Sequence, residues 1–176
     1  INKGKQVLYL LPEIALTIQI IKRLQNHFGN KVGVFHSNLN NSERVEVWKS
    51  VQGECSVLLG VRSSVYLPFK NLGLVIVDEE HDSSYKQQQP SPRYNARDSA
   101  IYLASLFNAK VLLGSATPSI ESYYNAKTTK YGFVELLKRY SDIKLPKIES
   151  FDLKKGLLKK EMLGFFSKKL IDEISN

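Results

Sequence analysis

Four consecutive residues, Asp78-Glu79-Glu80-His81, stand directly after the apolar run Leu72–Val77. Carboxylates at the end of a buried strand can hold Mg²⁺, a hard cation that takes oxygen ligands and keeps several waters. A second carboxylate beside the first can orient a water for attack on a phosphate. Asp78 is therefore the candidate metal carboxylate, reaching Mg²⁺ through water, and Glu79 the candidate water-positioning base. Read alone, the same residues could be no more than an acidic turn after a strand. A second polar motif, Gly114-Ser115-Ala116-Thr117-Pro118, follows another apolar run, Lys110–Leu113. Its hydroxyls can hydrogen-bond the first motif or a phosphate network, although these residue types are also ordinary turn formers.

Between the two motifs, residues 82–98 interleave Tyr85, Lys86, Arg93, Tyr94 and Arg97 with three glutamines. Aromatics and cations alternating in a loop suit stacking on unpaired bases and gripping phosphates. The plainer alternative packs the tyrosines on the core and leaves the cations solvated. Arg62, Ser63 and Ser64 follow the run Ser56–Gly60, and a guanidinium beside hydroxyls suits phosphate contacts. Glu13 and Thr17 fall one helical turn apart on one face. Glu13 can equally serve as a carboxylate at a helix N-terminus.

These residues need a frame, and the pattern of apolar runs supplies one. Val7–Leu11, Val32–Phe35, Ser56–Gly60, Leu72–Val77 and Lys110–Gly114 read as strands. Between them lie helical patterns: from Pro12 to Phe28, from an Asn40/Glu43 capping box through Trp48, and from Ala96 to Phe107. Another helix begins at Pro118. Trp48 is expected in the core. Strand–helix alternation predicts an α/β fold with a mainly parallel sheet sandwiched by helices, and Leu72–Val77 has the two-sided apolarity of a central strand. The pattern weakens around Ser141–Pro146, a candidate boundary, after which Ile148–Leu153 reads as a strand and Lys160–Ile174 as an amphipathic helix.

Composition narrows the class. The 176 residues are 43% hydrophobic and 24% charged, which gives a packed core and excludes wholesale disorder. A single cysteine, Cys55, excludes an internal disulfide framework and a cysteine-based zinc site within this chain. No apolar run approaches a membrane span, and residues 1–5 hold no signal-peptide core. The expectation is a soluble protein in a reducing compartment, without a membrane partner. The formal net charge is +8, and residues 138–169 hold ten basic against four acidic side chains. Such an excess suits a phosphate-backbone partner, or a solvated lysine-rich surface.

Together the motifs resemble those of superfamily 2 helicases. Asp78–His81 is similar to motif II, Gly114–Thr117 to motif III, Leu11–Thr17 to motif Ia, and Gly60–Ser64 to the motif Ib region. Phe69–Gly73 leading into Asp78–His81, then Asp82–Gln88 and Pro92–Asp98, resemble the replication-restart helicases within that superfamily; here Asn95 stands where those proteins usually carry His. The resemblance covers about residues 5–137 well and implies a RecA-like helicase lobe. It implies ATP and Mg²⁺ as cofactors, with Asp78 and Glu79 at the nucleotide, and Ser115 and Thr117 linked to it by His81. It implies DNA contact or coupling through Thr17, Arg62, Ser63, Tyr85, Lys86, Arg93, Tyr94 and Arg97. Its partners would be forked and single-stranded DNA, primosome proteins and single-stranded-DNA-binding protein, in a cytoplasmic, nucleoid-associated setting.

No Gly-x-x-x-x-Gly-Lys-[Ser/Thr] phosphate loop occurs in the sequence. In the family that loop lies just upstream of the strand matching Val7–Leu11, so the resemblance implies a lobe lacking its P-loop strand, truncated before Ile1. The family's zinc module and second motor lobe would also lie elsewhere. Residues 1–140 would be the first helicase lobe, and 141–176 a linker and the start of the second. The expected function is therefore part of an ATP-dependent helicase, inactive by itself. A non-enzymatic nucleic-acid-binding or interaction module that has lost the motor stays open beside it. So does a restriction- or chromatin-type translocase subunit, which would share the two motifs but not the 82–98 loop.

Overall fold

A computed structural model describes residues 4–12, 18–137 and 147–175. The chain divides into two compact units, Ile1–Phe133 and Val134–Asn176. The first unit runs β1 (Gln6–Leu10), α1 (Ile18–Phe28), β2 (Val32–Phe35), α2 (Asn41–Gln52), β3 (Val57–Gly60), β4 (Leu72–Val77), α3 (Ala96–Leu106), β5 (Lys110–Leu113) and α4 (Ile120–Lys127). Its five strands form one sheet in the order β2-β3-β1-β4-β5, every neighbouring pair parallel. This is the α/β arrangement that the alternating pattern predicts.

Parallel pairing places all five carboxyl ends on one edge, where polar motifs can meet. The register puts Leu8 beside Val75 and Leu10 beside Val77. These four are fully buried, and they share a core with Ala96, Ala100 and Ala104 of α3, which are also fully buried. An alanine every four residues leaves a flat stripe, so the α3 backbone can lie close to β4. The turn between β3 and β4 adds Val65, Leu67 and Phe69 to this layer.

The opposite face is less covered. Val34, Leu59, Tyr9, Ile76 and Leu112 align across it. Leu59 is buried, Tyr9 and Ile76 are half-buried, and Leu112 is exposed. Strand β5 is an edge of the sheet, with Val111 and Leu112 both open to solvent.

Local signals account for the helix starts. Asn40 Oδ1 accepts from Glu43 N–H at 2.9 Å while Glu43 Oε2 accepts from Asn40 N–H at 2.8 Å, the reciprocal capping box of α2. Asn95 Oδ1 accepts from Arg97 N–H at 3.0 Å and caps α3. Trp48 departs from expectation: it is 46% exposed on α2, while Val51 supplies the fully buried contact of that helix.

The second unit differs from the sequence reading. Ile148–Leu153 forms no strand; Asp152 Oδ1 accepts from Lys154 N–H and Lys155 N–H and starts a short helix, α5 (Leu153–Leu158). The helix expected over Lys160–Ile174 is interrupted by a hairpin, β6 (Met162–Leu163) and β7 (Phe166–Ser167). Gly164 adopts φ +60 in its two-residue turn, and α6 begins only at Lys168 and runs to Ser175. Ser141–Pro146, the candidate boundary, lies outside the described residues.

Candidate active site and nucleic-acid interface

The carboxyl ends of β1, β4 and β5 bring the site together. Asp78 follows β4 directly; its N–H donates to Leu10 O at 3.0 Å. The carboxylate is held on both oxygens: Glu79 N–H donates to Oδ1 at 3.0 Å, and the Tyr9 hydroxyl donates to Oδ2 at 3.0 Å. Burial, and then the Asp78 carboxylate, push the Tyr9 phenol up to about 12. Tyr9 therefore remains a donor throughout the neutral range. The Tyr85 hydroxyl donates to the Asp78 carbonyl at 2.6 Å, and burial followed by the nearby Asp78 charge raises that phenol's pKa too.

Glu79 has φ +46, in the left-handed region that non-glycine residues seldom occupy. Backbone held there costs on the order of 1 kcal/mol and persists where surrounding bonds over-determine it. The bonds here are explicit. Glu80 N–H donates to Gly114 O at 3.0 Å, Gly114 N–H to Val77 O at 2.9 Å, and Asp82 N–H to Glu79 O at 2.8 Å. The turn after β4 is thus sewn to the end of β5.

His81 spans the same gap with its side chain. Its Nδ1 lies 2.7 Å from Ser115 Oγ and its Nε2 lies 3.3 Å from Thr117 Oγ1. A neutral imidazole donates through one nitrogen and accepts through the other, which matches two hydroxyls. Nδ1 is also 3.6 Å from Glu79 Oε2. Thr117 N–H donates to Ser115 Oγ at 3.0 Å, so the second motif is ordered internally. Asp78, Glu79, His81, Ser115 and Thr117 therefore lie in one cluster.

Among the described residues no group of three His, Cys, Asp or Glu side chains could enclose a metal. A single oxygen ligand at a strand end instead fits Mg²⁺ held through water and completed by phosphate oxygens. Asp78 has that chemistry.

Glu80 is 3% exposed. It accepts from Ser119 N–H at 2.7 Å, Ser122 Oγ–H at 2.7 Å, Arg97 Nη1–H at 3.0 Å and Ser119 Oγ–H at 3.1 Å. Burial alone would raise its carboxyl; the donors outweigh burial and hold it below the ordinary glutamate range. Arg97 Nη1–H also donates to Ser119 Oγ at 2.8 Å, and its Nε–H to Asp98 at 2.9 Å. Glu80 carried no role in the motif reading, because its partners come from α3 and from the start of α4.

The 82–98 segment is closed on itself. Asp82 caps a short 3-10 turn, Ser83–Tyr85, by accepting from Ser84 N–H at 2.7 Å. Gln87 N–H donates to Tyr94 O at 2.9 Å, the Gln87 amide donates to Pro90 O and Pro92 O, and Lys86 Nζ donates to Arg93 O at 2.9 Å. Arg62 Nη1 reaches Ser84 O and Lys86 O at 3.4 and 3.3 Å, so it braces the base of the loop.

This geometry revises several expected DNA contacts. Tyr85 is 1% exposed and cannot present its ring to a base; its hydroxyl is spent on Asp78. Arg97 is turned inward to Glu80, its side chain 12% exposed. Tyr94 is half-buried, edge-on to Tyr66 with centroids 5.0 Å apart. Ser63, Lys86 and Arg93 are exposed, and Arg62 is half-buried. Thr17 and Glu13 lie outside the described residues. Ser64, beside Ser63, is fully buried against Gly60, where an added Cβ would fall 1.9 Å from Ser64 Oγ. Gly60 thus lets the backbone turn tightly from β3 into Arg62–Tyr66.

A family model described as DEAD/DEAH box helicase matches residues 1–126. The chain is 46% identical over 172 residues to the Replication restart protein PriA of Chlamydia trachomatis, covering 97% of this chain and 23% of the relative. It is 46% identical over 173 residues to the protein of the same name from Rickettsia typhi, covering 98% and 26%. It is 49% identical over 140 residues to that of Haemophilus influenzae, covering 79% and 19%. The chain thus spans about a quarter or less of the length of these relatives. A parallel sheet whose carboxyl edge joins Asp78–His81 to Ser115 and Thr117, and a family match over 1–126, place this chain in the DEAD/DEAH box helicase family.

Proposed function

We propose that this chain is the first motor lobe of an ATP-dependent DNA helicase that acts in replication restart, within a longer polypeptide. The observation that carries the reading is the His81 bridge, with ring nitrogens 2.7 and 3.3 Å from Ser115 and Thr117 and Glu79 adjacent in a strained turn. It joins the residue that would orient water to the end of a second strand, as a nucleotide-driven device requires. Bound Mg²⁺–ATP would supply a polarised terminal phosphate whose developing charge the metal neutralises. Asp78 would hold the ion through water, with Tyr9 and the Glu79 amide fixing the carboxylate's direction. Glu79 would orient the attacking water. Ser115 and Thr117 would report the nucleotide's state through His81.

DNA, forked or single-stranded, would lie along the exposed Ser63, Lys86 and Arg93, near Arg62 and Tyr94. Residues 1–140 would form this lobe and 141–176 lead into the second. Primosome proteins and single-stranded-DNA-binding protein are the partners that go with this reading, in the cytoplasm at the nucleoid. No helix among the described residues is long and apolar enough to cross a membrane.

The test is Glu79→Gln in the full-length protein carrying this sequence. Nucleotide affinity should stay close to wild type while DNA-stimulated turnover falls by two orders of magnitude or more, on the order of 3 kcal/mol of barrier. Near-normal turnover would overturn the role of Glu79. DNA binding by a wild-type protein that hydrolyses nothing would favour the non-enzymatic module.

A further inference from the structure

Away from the carboxyl edge of the sheet, the first unit carries a groove of about 490 Å³ between the Arg62–Tyr66 turn and α3. That volume is in the range of ligand pockets. The lining is mostly apolar, with Val65 buried in it and Leu103 and Leu106 contributed by α3. Two tyrosine rings border it, Tyr66 from the turn and Tyr102 from α3, 56% and 67% exposed. Asp98 and Ser99 are its polar groups. Asp98 Oδ1 accepts from Arg97 Nε–H at 2.9 Å, which balances its charge, while Oδ2 has no donor among the described residues. A carboxylate only accepts, so a matching ligand brings N–H donors, and the two rings favour a flat one. An unpaired nucleobase has both properties.

The surroundings of the groove are cationic. Tyr94 packs edge-on to Tyr66, with centroids 5.0 Å apart, and the Arg62 guanidinium lies beside the Tyr94 phenol. Exposed Arg93 precedes Tyr94, and Lys86 Nζ donates to its carbonyl at 2.9 Å. Cations outside the groove and a carboxylate within it sort the occupants. A nucleic-acid strand sets its phosphates toward Arg62 and Arg93 and sends only an uncharged base past the tyrosines. An acidic peptide would be drawn to the same cations but would bring its own carboxylates against Asp98.

We propose that this groove is a nucleobase site, which seats one unpaired base of a single strand against Tyr66 and Tyr102 and reads its Watson–Crick edge through Asp98, with guanine preferred. The proposal rests on the proposed function, since the base belongs to the strand that lies along Ser63, Lys86 and Arg93. Guanine carries N1–H and N2–H₂ side by side, two donors for one carboxylate. Adenine and cytosine offer a single amino group there, and thymine a lone N3–H. The site thus adds a base preference, which phosphate contacts do not carry.

The experiment uses the full-length protein and two single-stranded oligonucleotides, one all thymine and one with a single central guanine. Affinity for each and melting temperature are measured on the same samples. Wild type should bind the guanine-bearing strand about tenfold more tightly. Asp98→Asn exchanges one acceptor oxygen for a donor. It should bring that ratio close to one, with affinity for the all-thymine strand within about twofold of wild type. Tyr102→Ala should weaken both strands about tenfold, and Tyr102→Phe, which keeps the ring, should bind as wild type does. Both side chains are exposed, so the variants should melt close to wild type; a merely structural role would lower the melting temperature and leave the ratio unchanged. Equal affinity of wild type for the two strands, or a Tyr102→Ala variant that binds as wild type does, overturns this inference alone, and the second result leaves the groove to a protein segment. A wild type that binds neither strand overturns both it and the proposed function.

Discussion

Asp78 is held by two tyrosines, one on its carboxylate and one on its carbonyl. Neither contact follows from the motif that singles Asp78 out. Tyr9 precedes Asp78 by 69 residues and meets it because β1 and β4 pair in parallel, with Leu10 opposite Val77. Tyr9→Phe deletes only the hydroxyl, and a hydrogen bond to a charged acceptor is worth roughly 1.5–3 kcal/mol. Some of that should appear as slower turnover, about three- to tenfold, with half-maximal activity needing more Mg²⁺. Unchanged Mg²⁺ dependence would show that the phenol does not orient the carboxylate. That Asp78, Glu79, His81, Ser115 and Thr117 would meet was legible in the sequence, because they stand in two uninterrupted runs after two apolar strands. The inward turn of Tyr85 and Arg97 was not legible. The composition of a loop names its side chains but not which of them face the core. The contacts of Tyr9 and Glu80 depend on register between distant elements, which local pattern does not contain.

At the scale of elements, all five strands of the sheet and the capping box of α2 followed from apolar runs and from the spacing of Asn40 and Glu43. The sheet order did not, because periodicity says what forms a strand and not what it pairs with. One side chain that fixes the order was missed altogether. Gln6 is 9% exposed; its amide donates to Val51 O at 2.7 Å and Cys55 O at 3.0 Å, and its Oε1 accepts from Lys70 N–H and Asn71 N–H. It therefore ties the end of α2 and the start of β4 to β1. Gln6→Leu strands four backbone groups and should destabilise by about 2–4 kcal/mol in chemical denaturation. A loss below roughly 0.5 kcal/mol would mean water replaces those bonds. Elements in the second unit were misread because Phe151 and Leu153 alternate with Ser150 and Asp152 as a strand would. Asp152 caps a helix there instead, and Gly164, free to take φ +60, turns what read as a helix into a hairpin.

For the molecule as a whole, the unequal covering of the sheet has a colloidal consequence. β5 lies at the edge of the sheet and carries Val111 and Leu112, 37% and 56% exposed, with Lys110 as the charge at its head. An edge with apolar side chains and unpaired amides is a template for another strand, and a flanking lysine is the usual deterrent. When the 176-residue chain is diluted from denaturant, its light scattering should rise steeply with protein concentration. Leu112→Lys should suppress that rise, while changing native stability by less than about 1 kcal/mol, since the position is already solvated. Equal scattering from both proteins would assign the association to another surface. The strand that carries Ser115 and Thr117 to His81 is thus also the one expected to limit how concentrated a solution of the chain can be.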